Sequence, residues 1–163
     1  MKRRSKGVRH IKGSFKTDRL KIGIIISEFN EFYTQKLLDG ALDTLSRLGL
    51  QKHFIDVYHT PGSFEIPLVV KRALKKRKYD AIIALGVIIK GQTRHFKQVA
   101  DAASQGILKA SLGYEIPVIH GIVTAQNQGQ VRDRVGGKHG HKGREAAQSA
   151  VLMANLMKEM RNS

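Results

Sequence analysis

The chain contains no cysteine. Disulfides, thiolate metal sites and a cysteine nucleophile are therefore excluded, and the composition fits a reducing cytoplasm. No run of about 18 apolar residues occurs, so no membrane span is expected. The first residues lack the continuous apolar stretch of a secretory signal. Aromatic residues are few, at 6%, and no RRM, KH or helix-turn-helix signature accompanies them. The strings HExxH and GxSxG, and a GxGxxG after a strand, are also missing.

What is present is an ordinary globular complement. The 163 residues, 41% of them hydrophobic, fit one domain with a full core. The net charge is +16, and residues 1 to 21 hold nine Lys or Arg against one Asp. Residues 1–20 read as a basic, flexible extension, and the domain reads as residues 21–163. A second cationic cluster is Lys71-Arg72 with Lys75-Lys76-Arg77-Lys78. Such charge attracts nucleic acid, anionic lipid or phosphorylated ligands without naming which. A solvated tail and a solvated helix face are the simpler account.

Hydrophobic periodicity predicts alternating strands and helices. Lys21 to Ser27 is a β-branched run, and Leu37, Leu38, Ala41, Leu42, Leu45 and Leu48 recur at helical spacing over residues 34 to 48. Phe54 to Tyr58 reads as a strand, residues 65 to 77 as a helix, and Asp80 to Ile89 as a third strand. Residues 95 to 112 are helical, Ile116 to Val123 a fourth strand, residues 126 to 134 a short helix, and Ala146 to Met160 the last helix. Gly129 weakens the short helix. This order predicts an α/β domain with right-handed crossovers and a parallel sheet covered on both faces.

In such sheets ligands bind beyond the C-terminal ends of the strands. There the sequence delivers Phe29, then Ser63, Phe64 and Glu65, then Gly91 to His95, then His120 to Thr124. His95 follows Lys90-Gly91-Gln92-Thr93-Arg94, so a base that titrates near neutrality stands beside anion-binding groups. Each residue has a plainer role open to it: a surface histidine, core phenylalanines, a Glu65 complementing a helix dipole, a buried His120. The loop Arg134 to Gly143 is glycine-rich and cationic, a cradle for phosphate. It is not a Walker A motif, since Arg132 and His139 occupy the positions of its first Gly and its hydroxyl. His139 and His141 have no carboxylate or thiolate near them in the loop, so no metal site is expected.

Together these strings resemble the lumazine synthases of riboflavin biosynthesis. The resemblance runs from Lys21 to Leu156 through Phe29-Asn30, Pro61-Gly62-Ser63-Phe64-Glu65-Ile66-Pro67, the Ala84 to His95 segment, and Gly136-Gly137-Lys138 with Gly140 and Lys142-Gly143. It implies a flavodoxin-like three-layer sandwich with a four-stranded parallel sheet. It also implies condensation of 5-amino-6-(D-ribitylamino)uracil with 3,4-dihydroxy-2-butanone 4-phosphate, giving 6,7-dimethyl-8-ribityllumazine, phosphate and water without an external cofactor. By the same resemblance His95 moves protons, Phe29 faces the pyrimidine, and Ser63, Phe64 and Glu65 meet the ribityl chain. Val87, Ile88 and Ile89 border the heterocycle, and Gln92, Thr93 and Arg134 hold phosphate.

The chain departs from the family at Glu28, Gln92, His120 and His141. His120 replaces an aromatic residue near the pyrimidine. The family builds its site between subunits, in pentamers and often in shells of twelve pentamers. Two other functions stay open at this point. One is a catalytically weakened shell protein of the same fold. The other, prompted by the charge, is a basic nucleic-acid-binding protein. Separately, polyanions are expected as partners of the basic extension.

Overall fold

A computed structural model describes residues 7–163. The first six positions of the expected basic extension lie outside the described residues. The sheet comprises β1 (Ile22–Ser27), β2 (Ile55–Thr60), β3 (Ala81–Ile89) and β4 (Val118–Ala125), all parallel, in the order β2-β1-β3-β4. Helices α1 (Glu31–Arg47) and α5 (Lys142–Asn162) cover one face, and α2 (Ile66–Lys75) and α3 (His95–Tyr114) the other. The expected α/β three-layer arrangement is the one observed, and its strand order is flavodoxin-like.

The alternation of side chains along β1 divides the core. Ile22, Ile24 and Ile26 enter the α1/α5 layer, while Ile25 enters the α2/α3 layer. Along β3, Ala81, Ile83, Leu85 and Val87 face the first layer, and Ile82, Ala84 and Ile88 the second. Burying each such Ile or Leu stabilises the fold by about 1.5–3 kcal/mol. On the first face α5 comes very close to α1. A Cβ built on Gly143 would lie 2.1 Å from the Leu37 carbonyl oxygen, so this contact requires glycine.

The structure shifts several expected boundaries. The fourth strand begins at Val118 and runs to Ala125, two residues further than the sequence suggests. The Ser111 hydroxyl donates to the Ile116 carbonyl and accepts the Val118 N–H, which holds Ile116-Pro117 as the turn into the strand. The last helix begins at Lys142, where His141 Nδ1 accepts the Arg144 N–H. The short helix α4 (Gln128–Arg134) forms despite Gly129. Asn127 caps it by accepting the Gln130 N–H at 3.0 Å, and the Gln130 side chain accepts the Gln126 N–H at 2.8 Å. The loop from Arg134 to Gly143 folds into a small antiparallel hairpin, β5 (Val135–Gly137) and β6 (Gly140–His141). Gly136 and Gly140 there have φ of 111° and 83°, which favour glycine.

The packed body also starts before Lys21. Leu20 is fully buried, Thr17 Oγ1 donates to the Leu48 carbonyl, and Asn155 Nδ2 donates to the Ser14 and Lys16 carbonyls. The flexible extension expected over residues 1–20 is therefore too long at its C-terminal end. Charge density hid one apolar anchor and several backbone partners.

Candidate active site

The sheet's winding reverses between β1 and β3, and a cavity of about 400 Å³ opens above their C-terminal ends. Local chain geometry keeps it open. Asn30 adopts a left-handed conformation, φ 62° and ψ 41°, and its Nδ2 donates to the Val87 carbonyl at 2.8 Å. This bond ties the exit of β1 to β3. Asn30's own carbonyl then accepts the Tyr33 and Thr34 N–H groups to start α1. The preceding residue, Phe29, bonds through its N–H to the Pro61 carbonyl and leaves its ring 70% exposed at the cavity mouth.

After β2 the chain makes a 3-10 turn, Ser63–Glu65. Ser63 turns inward, buried, with its hydroxyl on Ser27 Oγ at 3.4 Å, while Phe64 and Glu65 stay exposed on the cavity wall. A Cβ on Gly86 would stand 2.5 Å from Ser63 Oγ, so the bare strand at Gly86 is what admits the serine. Val87, Ile88 and Ile89 form an apolar shelf, and Thr93 and His95 close the far side. His95 is the first residue of α3; its backbone N–H bonds to Thr93 Oγ1, and its ring, exposed, makes no hydrogen bond among the described residues.

One cavity thus gathers Phe29, Ser63, Phe64, Glu65, Val87, Ile88, Ile89, Thr93 and His95. Asn30, Phe96 and Val99 line it too and were not among the expected site residues. Phe96 and Val99 lie half-buried on α3, packed against the α2/α3 core. The bond from Asn30 to β3 spans 57 positions and left no local sign.

Three expected residues stand elsewhere in the single chain. Gln92 lies exposed in the loop before α3 and does not line the cavity. Arg134, at the end of α4, lines a separate hollow of about 230 Å³ with Thr124, His139, Lys142 and Glu145. It makes no ion pair among the described residues. His120 was expected at the rim, but it pairs in register with Ala84, in the body of the sheet. The extension of β4 to Ala125 sets it further below the strand end. Its Nε2 is 3.0 Å from Ser104 Oγ on α3. One edge of the ring meets solvent, yet loss of water on its inner side holds its pKa below the usual histidine value; its own backbone opposes this and Lys142 adds to it. His141 diverges from His139 and packs against Gly40 of α1.

Fold and cavity define an α/β enzyme of the doubly wound class, with a small-molecule site at the switch point of a parallel sheet. A family model of 6,7-dimethyl-8-ribityllumazine synthases matches residues 19–158, and the chain belongs to that family. Its activity is accordingly that of a transferase of riboflavin biosynthesis. No helix among the described residues is long and apolar enough to cross a membrane.

Proposed function

We propose that the cavity at the C-terminal rim binds 5-amino-6-(D-ribitylamino)uracil, and that 3,4-dihydroxy-2-butanone 4-phosphate meets it there. The carrying observation is the convergence of Phe29, Glu65, the Val87–Ile89 shelf and His95 on one space of about 400 Å³. The shelf and the Phe29 ring sandwich a flat heterocycle. Ser63 and Glu65 offer hydroxyl and carboxylate partners to a polyol chain. The amine of the uracil attacks the ketone and an imine forms with loss of water. Phosphate then leaves, and ring closure expels a second water. The substrate supplies the nucleophile, so His95 carries protons and forms no covalent bond. Holding two reactants in register supplies much of the acceleration.

The cations for phosphate are Arg134 and its neighbours, with the loop at Gln92 and Thr93. Arg134 and the His95 cavity lie apart in one chain. A site completed by a second subunit joins them, in a pentamer or a shell of pentamers, and the exposed edge of His120 then serves the neighbour's pyrimidine. Exposed Phe64, Leu68, Leu108 and Leu112, on α2, α3 and the turn before α2, support such an assembly, because it would take large apolar side chains out of water.

An anaerobic assay with both substrates tests the reading. Lumazine absorbance and released phosphate should rise together in equal amounts, and sedimentation at the assay concentration should show at least a pentamer. A fully active monomer would refute the shared site.

A further inference from the structure

The opposite rim of the sheet carries chemistry that the condensation does not use. Helices α1, α2, α3 and α5 all run back against the parallel strands, so their C-terminal ends gather where the strands begin. The negative ends of the helix dipoles favour cations there. Beside them lies a hollow of about 480 Å³, with Arg77, Lys78 and Arg161 on its walls and Tyr114, Met157 and Met160 lining it. The Arg77 guanidinium sits 5.5 Å from the Tyr114 ring centroid and donates to the Tyr114 carbonyl at 3.4 Å. Lys75 and Lys76 carry the charge beyond the hollow along the end of α2.

Some of this charge is already matched. Lys78 pairs with Asp56 at 2.8 Å, and Lys158 with Asp80 at 3.2 Å. Lys75, Lys76, Arg77 and Arg161 are exposed and have no carboxylate within 4.0 Å among the described residues. Among the described residues, the one opposing carboxylate on the hollow without an ion pair is Glu115, held at φ 53°.

We propose that this rim binds single-stranded nucleic acid, with Lys75, Lys76, Arg77 and Arg161 on the phosphodiester backbone and a base stacked in the Tyr114 hollow. Cations that continue past the hollow fit a polymer better than one small anion. A concave hollow with an aromatic wall fits an unpaired base and cannot lie flat on a bilayer. Basic grooves that carry an aromatic platform hold single strands in this way, with little regard for sequence.

The test uses the full chain and a fluorescein-labelled oligouridylate, followed by anisotropy across a salt series. Binding should weaken steeply with salt. The combined variant Lys75→Gln, Lys76→Gln, Arg77→Asn, Arg161→Gln should bind at least roughly tenfold more weakly, and its log–log salt slope should fall by about 2 to 3, at about 0.7 per lost contact on a single strand. Asparagine is chosen at Arg77 because it tolerates that residue's φ of 53°. Tyr114→Leu should weaken binding about fivefold or more with the slope unchanged. Glu115→Asn should tighten binding, a gain that a misfolded variant cannot mimic. All three proteins should form lumazine at the parent rate, since none of these residues lines the His95 cavity. The proposal is overturned if the parent does not bind at low salt, or if duplex or phosphatidylserine vesicles bind as well as the single strand. It is equally overturned if deleting residues 1–12 abolishes binding while the combined variant retains it.

Discussion

The two rims of the sheet are built from the same strands and face opposite tasks. At the C-terminal rim the strands end in a left-handed Asn30, a 3-10 turn and a glycine-containing loop, and the chain leaves a cavity with apolar walls. At the N-terminal rim the groups against the strand starts close on one another, and the unpaired cations around Tyr114 stand outside that network. Tyr79 donates to Asp56 at 2.6 Å, Lys78 and Lys21 reach the same carboxylate, and Asp80 accepts the Lys21 N–H and pairs with Lys158. A rim that satisfies its own polar groups holds the strands together. A rim that leaves an imidazole, a carboxylate and an aromatic ring unengaged can act on a ligand.

The largest effect expected of a single change falls on the open rim. His95→Ala should slow turnover by about 10- to 1,000-fold while folding is kept, because positioning of the substrates survives the loss of the proton carrier. Unaltered turnover in a folded variant would remove His95 from the chemistry.

Arg134→Lys comes next. It loses the bidentate fork and should raise KM for the butanone phosphate by roughly tenfold, with much less change for the pyrimidine. Steady-state kinetics with each substrate varied in turn would separate the two, and an equal loss on both would count against a phosphate role.

Glycine substitutions compare the rims directly. Gly86→Ala drives a Cβ to 2.5 Å from Ser63 Oγ and 3.1 Å from Ser27 Oγ, whereas Gly23→Ala, at the other rim, meets only the Tyr79 ring at 3.4 Å. The first should destabilise by about 1–3 kcal/mol and weaken pyrimidine binding, and the second should cost less. Thermal unfolding with a pyrimidine titration reads both. Equal penalties would dissolve the contrast.

Two smaller effects depend on pH. Loss of water, with Lys142 near His120 and Arg144 near His141, keeps both imidazoles below the usual histidine pKa of 6.5. The unfolded chain then binds more protons, so stability should fall as pH drops below about 6.5. Urea unfolding at about pH 7.5 and about pH 5.5 should show this fall in the parent and a flatter profile in a His120→Phe, His141→Asn variant. At the closed rim, hydrogen bonds from Lys78 and Tyr79 hold the Asp56 carboxyl at about 2, against an ordinary 3.8. Its contribution is complete above the ordinary value and lost as pH falls toward 2. Asp56→Asn should remove that acid-range dependence and lower stability modestly at neutral pH, since the carboxylate is partly exposed, measured by the same unfolding method.

Much of the open rim was legible because its residues follow apolar runs at once. Phe29, Ser63, Phe64, Glu65 and His95 needed only the rule that parallel strands deliver their exits to one side. His120 was read onto the rim although it fell within the expected strand Ile116 to Val123, and the extension of β4 to Ala125 sets it further below the strand end. Leu20 was missed inside a basic segment whose charge outweighed one apolar residue in the reading. The reach of Asn30 to Val87 could not be read at all, since it joins positions 57 apart.

The sequence by itself determined the layer order, the parallel sheet and the family, because period, chain order and short motifs are local properties of the polymer. Tertiary structure alone decided that Ser63 sits against a bare Gly86, that Arg134 stands apart from His95 within one chain, and that Arg77 and Lys78, after α2, meet Arg161 of α5 around Tyr114. Those facts depend on the distance between segments remote in sequence, and only the packing of helices on the sheet sets that distance.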